Sequence, residues 1–69
     1  MERLYFHIRT DGQFIPDEEG MIFPDMAAAV VELHASARDL RTERQAGTVE
    51  MTDHNGKILQ SAVATRPAH

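Results

Sequence analysis

His7 is the residue with the widest chemical repertoire in this 69-residue sequence. In the stretch Leu4-Tyr5-Phe6-His7-Ile8-Arg9 it shares its parity with Tyr5 and Arg9, so an extended backbone sets all three on one side. An imidazole placed beside a guanidinium can work as a general base or a metal ligand. A surface histidine on a strand serves equally well in cross-strand pairing or at an interface, and that reading is favoured here. The second constellation is acidic: Asp17, Glu18 and Glu19 stand together, with Asp11 upstream. Carboxylates of this kind can hold a hard cation such as Ca²⁺. Their spacing does not match an EF-hand, and three adjacent side chains point in divergent directions. A solvated loop that blunts a sheet edge with charge is therefore expected.

The remaining candidates are weaker. His34, His54 and His69 form neither an HExxH motif nor a pair at i, i+4, the spacings that zinc sites on helices use. Ser36 and Ser61 stand in no nucleophile elbow. Gly12, Gly20, Gly47 and Gly56 are isolated from one another, so no phosphate-binding loop is formed. No catalytic, metal or cofactor-binding residue is assigned on these grounds, and no cofactor is implied.

The sequence carries eleven acidic residues against seven Lys and Arg, for a formal charge of −4. Asp11, Asp17, Glu18, Glu19 and Asp25 fall in one stretch without a basic residue, whereas Arg38, Arg41 and Arg44 gather downstream. Nucleic-acid binders draw most of their affinity from phosphate neutralisation by a dominant basic surface. Three arginines offset by Asp39 and Glu43 are a poor version of that, and cations near a helix C-terminus are favoured by its dipole. Nucleic acid is not an expected partner. The longest apolar run, Met26 to Val31, falls far short of the roughly 20 residues that a membrane span needs. The first residues contain no apolar core of a secretory signal, and there is no cysteine. A cytoplasmic location is expected, with no disulfide and no thiolate metal site.

The elements that must position these residues follow from periodicity. Arg3 to Arg9 alternates, with Leu4, Phe6 and Ile8 inward, as a half-buried strand does. Asp11-Gly12 suits a tight hairpin turn, and Gln13 to Ile15 returns as a short strand ended by Pro16. Met21 to Phe23 reads as an extended bridge or short edge strand. Asp25 is a good N-cap, and Met26, Val30, Leu33, Ala37 and Leu40 mark one face of a helix. Gly47 is the natural stop, which predicts a helix over 26–46. Thr48 to Thr52 and Lys57 to Ala64 form a second hairpin around Asp53-His54-Asn55-Gly56. Two registers compete there. A two-residue Asn55-Gly56 turn sets Gln60 opposite Met51, and a type I turn with Gly56 as a bulge sets Leu59 opposite Met51 and Ser61 opposite Val49. The second pairs apolar with apolar and is preferred.

The resulting order, ββ-α-ββ, predicts one α+β domain over residues 1–64 with a loose tail at 65–69. Two hairpins form a four-stranded antiparallel sheet, and one long helix lies across one face. The other face carries Tyr5, His7, Arg9, Thr48, Glu50 and Ile58, with Gln60 at its margin, and meets solvent or a partner.

The strand Tyr5-Phe6-His7, the turn Asp11-Gly12, the loop Pro16-Asp17-Glu18-Glu19-Gly20 and the helix start Pro24-Asp25 occur in a distinctive order. Together they resemble a family of small, stand-alone bacterial domains of unknown function. The likeness runs from Arg3 to about Val63, with Phe23 where the family usually has Leu. It implies the size and fold derived above and brings no activity.

The expected role is binding rather than catalysis. Pockets for small molecules commonly need about 300–1,000 Å³, which one sheet and one helix enclose with difficulty. Another protein or a second copy of the chain is the expected partner, docked on the face bearing Tyr5, His7, Arg9, Glu50 and Ile58. The alternative is an enzyme or metal-dependent site assembled at a dimer interface around His7 and the loop of Asp17, Glu18 and Glu19.

Overall fold

The alternating apolar residues of the first strand need a cover, and an amphipathic helix supplies it. The computed structural model describes residues 2–43 and 45–65. Its elements are β1 (Glu2–Thr10), β2 (Gln13–Ile15), β3 (Met21–Phe23), α1 (Met26–Thr42), β4 (Gly47–Thr52) and β5 (Ile58–Ala64). All strand pairings are antiparallel, in the order β2-β1-β4-β5, with β3 also paired to β1. The architecture is α+β with one helix, as expected. The sheet has a fifth strand beyond the four of the predicted arrangement, because Met21–Phe23 pairs with Glu2–Leu4.

β2 and β3 succeed one another along the same edge of β1. Ile8 pairs with Ile15 and Leu4 with Met21, so the five residues 16–20 face only three of β1, Tyr5 to His7. The surplus forces the loop out of the ladder, and this loop carries the acidic triplet.

The core lies between α1 and the sheet face bearing Leu4, Val49 and Met51, all at most 1% exposed. Phe23 closes it with an edge-on contact to Phe6 at 5.7 Å between ring centroids. From the helix come Ala29, Leu33, Ala37 and Leu40. Ala29 thus takes the place expected of Met26, which is exposed. The small side chain lets the helix settle close to the sheet, against Ala62 and Ala64, also buried.

Asp25 caps α1 as anticipated, its carboxylate accepting the Ala28 amide at 2.8 Å. The helix ends at Thr42, not at 46. The Gln45 amide donates to the Leu40 carbonyl at 3.1 Å, a backward bond of the kind that terminates helices. Gly47 is no helix stop. It opens β4 between Thr10 and Ala64, where an added Cβ would lie 2.5 Å from the Arg9 carbonyl oxygen. Arg44 and the tail from residue 66 lie outside the described residues.

The second hairpin departs from the preferred register. Its turn is as expected: the Gly56 amide bonds the Asp53 carbonyl at 3.0 Å, the Asp53 amide bonds the Lys57 carbonyl at 3.1 Å, and Gly56 has φ +84°. Thr52 accordingly pairs with Ile58, but Met51 pairs with Gln60 and Val49 with Ala62, through an irregularity between Met51 and Thr52. Leu59 is the extra residue, and it packs against the core. Such a bulge shifts the register by one residue. It keeps Leu59 inward, turns Ala62 and Ala64 toward the helix, and leaves Val63 outside. Gln60 consequently shares the phase of Met51 instead of bordering the face of Glu50.

Candidate functional site

The sequence pattern sets Arg3, Tyr5, His7 and Arg9 on the face of β1 away from the helix, and pairing adds the rest. Thr52 faces Tyr5, Glu50 faces His7, Thr48 faces Arg9, and Phe14 faces Arg9 from the other side. Ile58, Ser61 and Val63 of β5 continue the same face. The predicted surface residues Tyr5, His7, Arg9, Glu50 and Ile58 are therefore brought together on one side of the sheet. Arg9 Nε lies 3.3 Å from Glu50 Oε2, and the Arg9 guanidinium sits 4.6 Å from the Phe14 ring centroid. The Phe14 and His7 rings are 5.6 Å apart, and the His7 and Tyr5 rings lie nearly parallel at 6.4 Å. An exposed ion pair of this kind contributes at most about 1 kcal/mol. Its main consequence is to set one cation and one anion side by side on this face.

His7 is held from two directions. Its Nδ1 accepts the backbone N–H of Asp17 at 2.9 Å, and its Nε2 lies 3.1 Å from Thr52 Oγ1. A nitrogen that accepts carries no proton, so the neutral ring is protonated at Nε2 and donates to the Thr52 hydroxyl. Thr52 is 3% exposed, and this bond satisfies a hydroxyl that would otherwise be costly to bury. Both ring nitrogens are committed within the fold.

The acidic loop divides its labour. Glu18 and Glu19 are exposed, while Asp17 is half-buried. Asp17 Oδ2 accepts the Phe6 amide at 3.1 Å, an amide facing the gap in the edge ladder between β2 and β3. Its Oδ1 accepts the amides of Gly20 at 3.1 Å and Glu19 at 3.3 Å. Partial burial works against the charge of Asp17, but the amides of Phe6, Gly20 and Glu19, with His7 nearby, outweigh it and hold the carboxyl below its ordinary value. Arg3 Nη1 donates to the Glu19 carbonyl at 2.6 Å. The loop thus replaces the missing ladder partner with a side chain.

A shallow depression of about 200 Å³ borders this clasp, lined by Tyr5, His7, Asp17, Thr52, Asp53 and His54. His54, read from the sequence as a turn residue, is brought to the same side as His7. Among the described residues no group of three or more His, Asp or Glu side chains is placed to hold a metal ion. Asp11 sits in the first hairpin turn, and Asp53 organises the second, its Oδ1 accepting the amides of Asn55 and Lys57. The Lys57 amide, against slight desolvation and with help from Asn55, His54 and the Lys57 charge, lowers the Asp53 carboxyl below its ordinary value. His34, Arg38 and Arg41 lie elsewhere, along a groove between α1 and β5. Periodicity gave no sign that Phe14 would join the face or that Thr52 would be buried under His7. The signal for Asp17 was present: an Asp followed two and three residues later by Glu19 and Gly20 is the spacing of a side-chain-capped turn.

The fold and this face define a small α+β domain whose antiparallel sheet is covered by a helix on one side and clasped by a loop on the other. The chain belongs to the DUF6894 family, a domain of unknown function, whose model matches residues 3–65. No curated protein and no solved structure matches it. No helix among the described residues is long and apolar enough to cross a membrane.

Proposed function

We propose that this domain works by binding, and that the helix-free face of its sheet pairs with a second copy of the chain. One observation carries the reading. Phe14 (47% exposed), Ile22 (49%), Ile58 (54%) and Val63 (68%) all project from that face. Apolar side chains gathered on one side of a small domain favour association. Across one row of the sheet the order is Phe14, Arg9, Thr48, Val63. A two-fold axis parallel to the strands would lay Phe14 of one copy over Val63 of the other, as a self-complementary interface requires. The paired Arg9 and Glu50 offer both signs of charge to the partner.

Light scattering on fractions eluted across a wide concentration range tests this. A dimer mass is expected for the native chain, and a monomer mass for Ile58→Glu and Val63→Glu with the fold retained. A monomer mass at every concentration, or a dimer that survives both substitutions, rules the reading out.

A further inference from the structure

The two edges of the sheet are treated differently. At the β2–β3 edge the ladder is broken into two three-residue strands, interrupted by Pro16 and three acids, and its open amide at Phe6 is filled by Asp17. Short strands, proline and charge are the usual protections against pairing with another chain. The β5 edge has none of them. Ile58–Ala64 runs for seven residues without a charge or a proline, and among the described residues no strand lies beyond it in the sheet order.

Beside this bare edge runs a groove of about 780 Å³, between β5 and α1. Val31, which is 70% exposed, joins Val30, Ala35 and Ala62 to make its apolar part. Its titratable lining is His34, Arg38 and Arg41, with no acidic side chain. Arg38 and Arg41 are three residues apart on the helix and so face the same way. Among the described residues neither is ion-paired. A basic groove on a chain of charge −4 is a local inversion of sign, and complementary charge selects partners.

From these features we infer that the α1–β5 groove takes an extended, acidic peptide segment of another protein. The segment adds a strand to the outer edge of β5, where main-chain hydrogen bonds supply affinity. In an added strand alternate side chains point to opposite faces. Carboxylates of one parity therefore meet Arg38 and Arg41 on the helix side, and apolar side chains of the other parity lie beside Val63 on the helix-free side. This shares the binding-module reading above and meets its face only at Val63, so Arg38→Glu, Arg41→Glu on one side and Ile58→Glu on the other let each reading fail while the other stands.

The test is a titration of the isotope-labelled full chain with the blocked peptide Glu-Val-Glu-Val-Glu, followed by amide chemical shifts. Saturable shifts at Ser61 to Val63 and along Val31 to Arg41 are expected at millimolar peptide or below. Lys-Val-Lys-Val-Lys and an N-methylated form of the acidic peptide, which lacks backbone donors, should leave those amides unmoved. The double substitution Arg38→Glu, Arg41→Glu should weaken binding by about tenfold or more, since it turns attraction into repulsion at two positions. Ile58→Glu, which targets the sheet face, should bind the peptide as the native chain does. Absence of shifts at millimolar acidic peptide, or equal binding of the basic or N-methylated peptide, overturns the inference. So does loss of self-association in the unliganded arginine double variant, which would make a second copy the occupant.

Discussion

His7 and Asp17 hold each other in a reciprocal clasp across the open edge of the sheet. The Asp17 backbone N–H donates to His7 Nδ1 at 2.9 Å, while the Asp17 carboxylate accepts the amide of Phe6, the residue before His7, at 3.1 Å. The clasp fastens the loop over β1 and leaves Nε2 of the ring to the Thr52 hydroxyl.

Removing the carboxylate strips three amides of their acceptor. Hydrogen bonds to a charged group contribute about 1.5–3 kcal/mol each, less in exposed positions, so Asp17→Ala should cost about 2–3 kcal/mol in denaturant unfolding. His7→Ala should cost about 1–2 kcal/mol by orphaning the Thr52 hydroxyl and the Asp17 amide. The two losses should not add, because the residues share one network. A double variant whose loss equals the sum of the single losses would show that the clasp is not a unit.

Acid should loosen the same clasp. The folded-state value of the Asp17 carboxyl is lowered, so its contribution is fully present above the ordinary carboxyl value of about 4 and is lost as pH falls through the lower, folded-state value. Asp53 has the same sign. Native chain and Asp17→Asn should therefore differ most near neutral pH and converge toward pH 2 in thermal unfolding, with Asp17→Asn the less stable throughout the upper range. Parallel curves across the whole range would remove Asp17 from the acid response.

Gly20 is where the loop returns to the sheet. It has φ +70°, and an added Cβ would lie 2.8 Å from the Tyr5 ring and 2.9 Å from the Leu4 carbonyl oxygen. The left-handed conformation alone costs a residue with a side chain about 1–2 kcal/mol. The clash with fixed backbone adds to it, so Gly20→Ala should lose about 3 kcal/mol. Gly12 shares the positive φ but has nothing within 4 Å, and Gly12→Ala should lose only the conformational part. Equal losses in chemical denaturation would mean that the contact with β1 is not tight.

These relationships mark what the sequence reveals and what it withholds. The alternation from Leu4 to Arg9, the Asp11-Gly12 turn and the Asp25 cap are local signals, and each element lies where its residues put it. The helix end misleads because residues 41–46 contain good helix formers, while the stop is a backbone bond from Gln45 to Leu40 that no side chain advertises. The Leu59 bulge is decided by the fit of Ala62 and Ala64 beneath the helix, a tertiary condition. His7 is conspicuous by type, but Asp17 is 10 residues away and Thr52 is 45 away. Their convergence depends on the register of β4 and on a two-residue surplus in the edge loop.

The helix cap offers a local test. Asp25 Oδ1 accepts the Ala28 amide at 2.8 Å, one of the amides at a helix start that lack an intrahelical partner. Asp25→Ala should cost about 1 kcal/mol, and Asp25→Ser only a few tenths. In a domain of this size the alanine variant should melt about 4–8 °C lower. An unchanged melting point would mean that water replaces the cap at no cost.

The bulge at Leu59 yields the sharpest discrimination between registers. With Met51 opposite Gln60, Ala64 is buried against the core at 2% exposure and Val63 stands outside. Enlarging Ala64 should then force the sheet and α1 apart, at about 1–3 kcal/mol for Ala64→Leu. Val63→Ala should stay within about 0.5 kcal/mol, the usual range for a surface site, when measured at concentrations low enough to keep the chain monomeric. Without the bulge, Leu59 faces Met51, Val63 points inward, and the two effects exchange places because a one-residue slip turns every side chain over. A costly Val63→Ala beside a tolerated Ala64→Leu would therefore restore the unbulged register. It would also withdraw Val63 from the sheet face proposed for self-association.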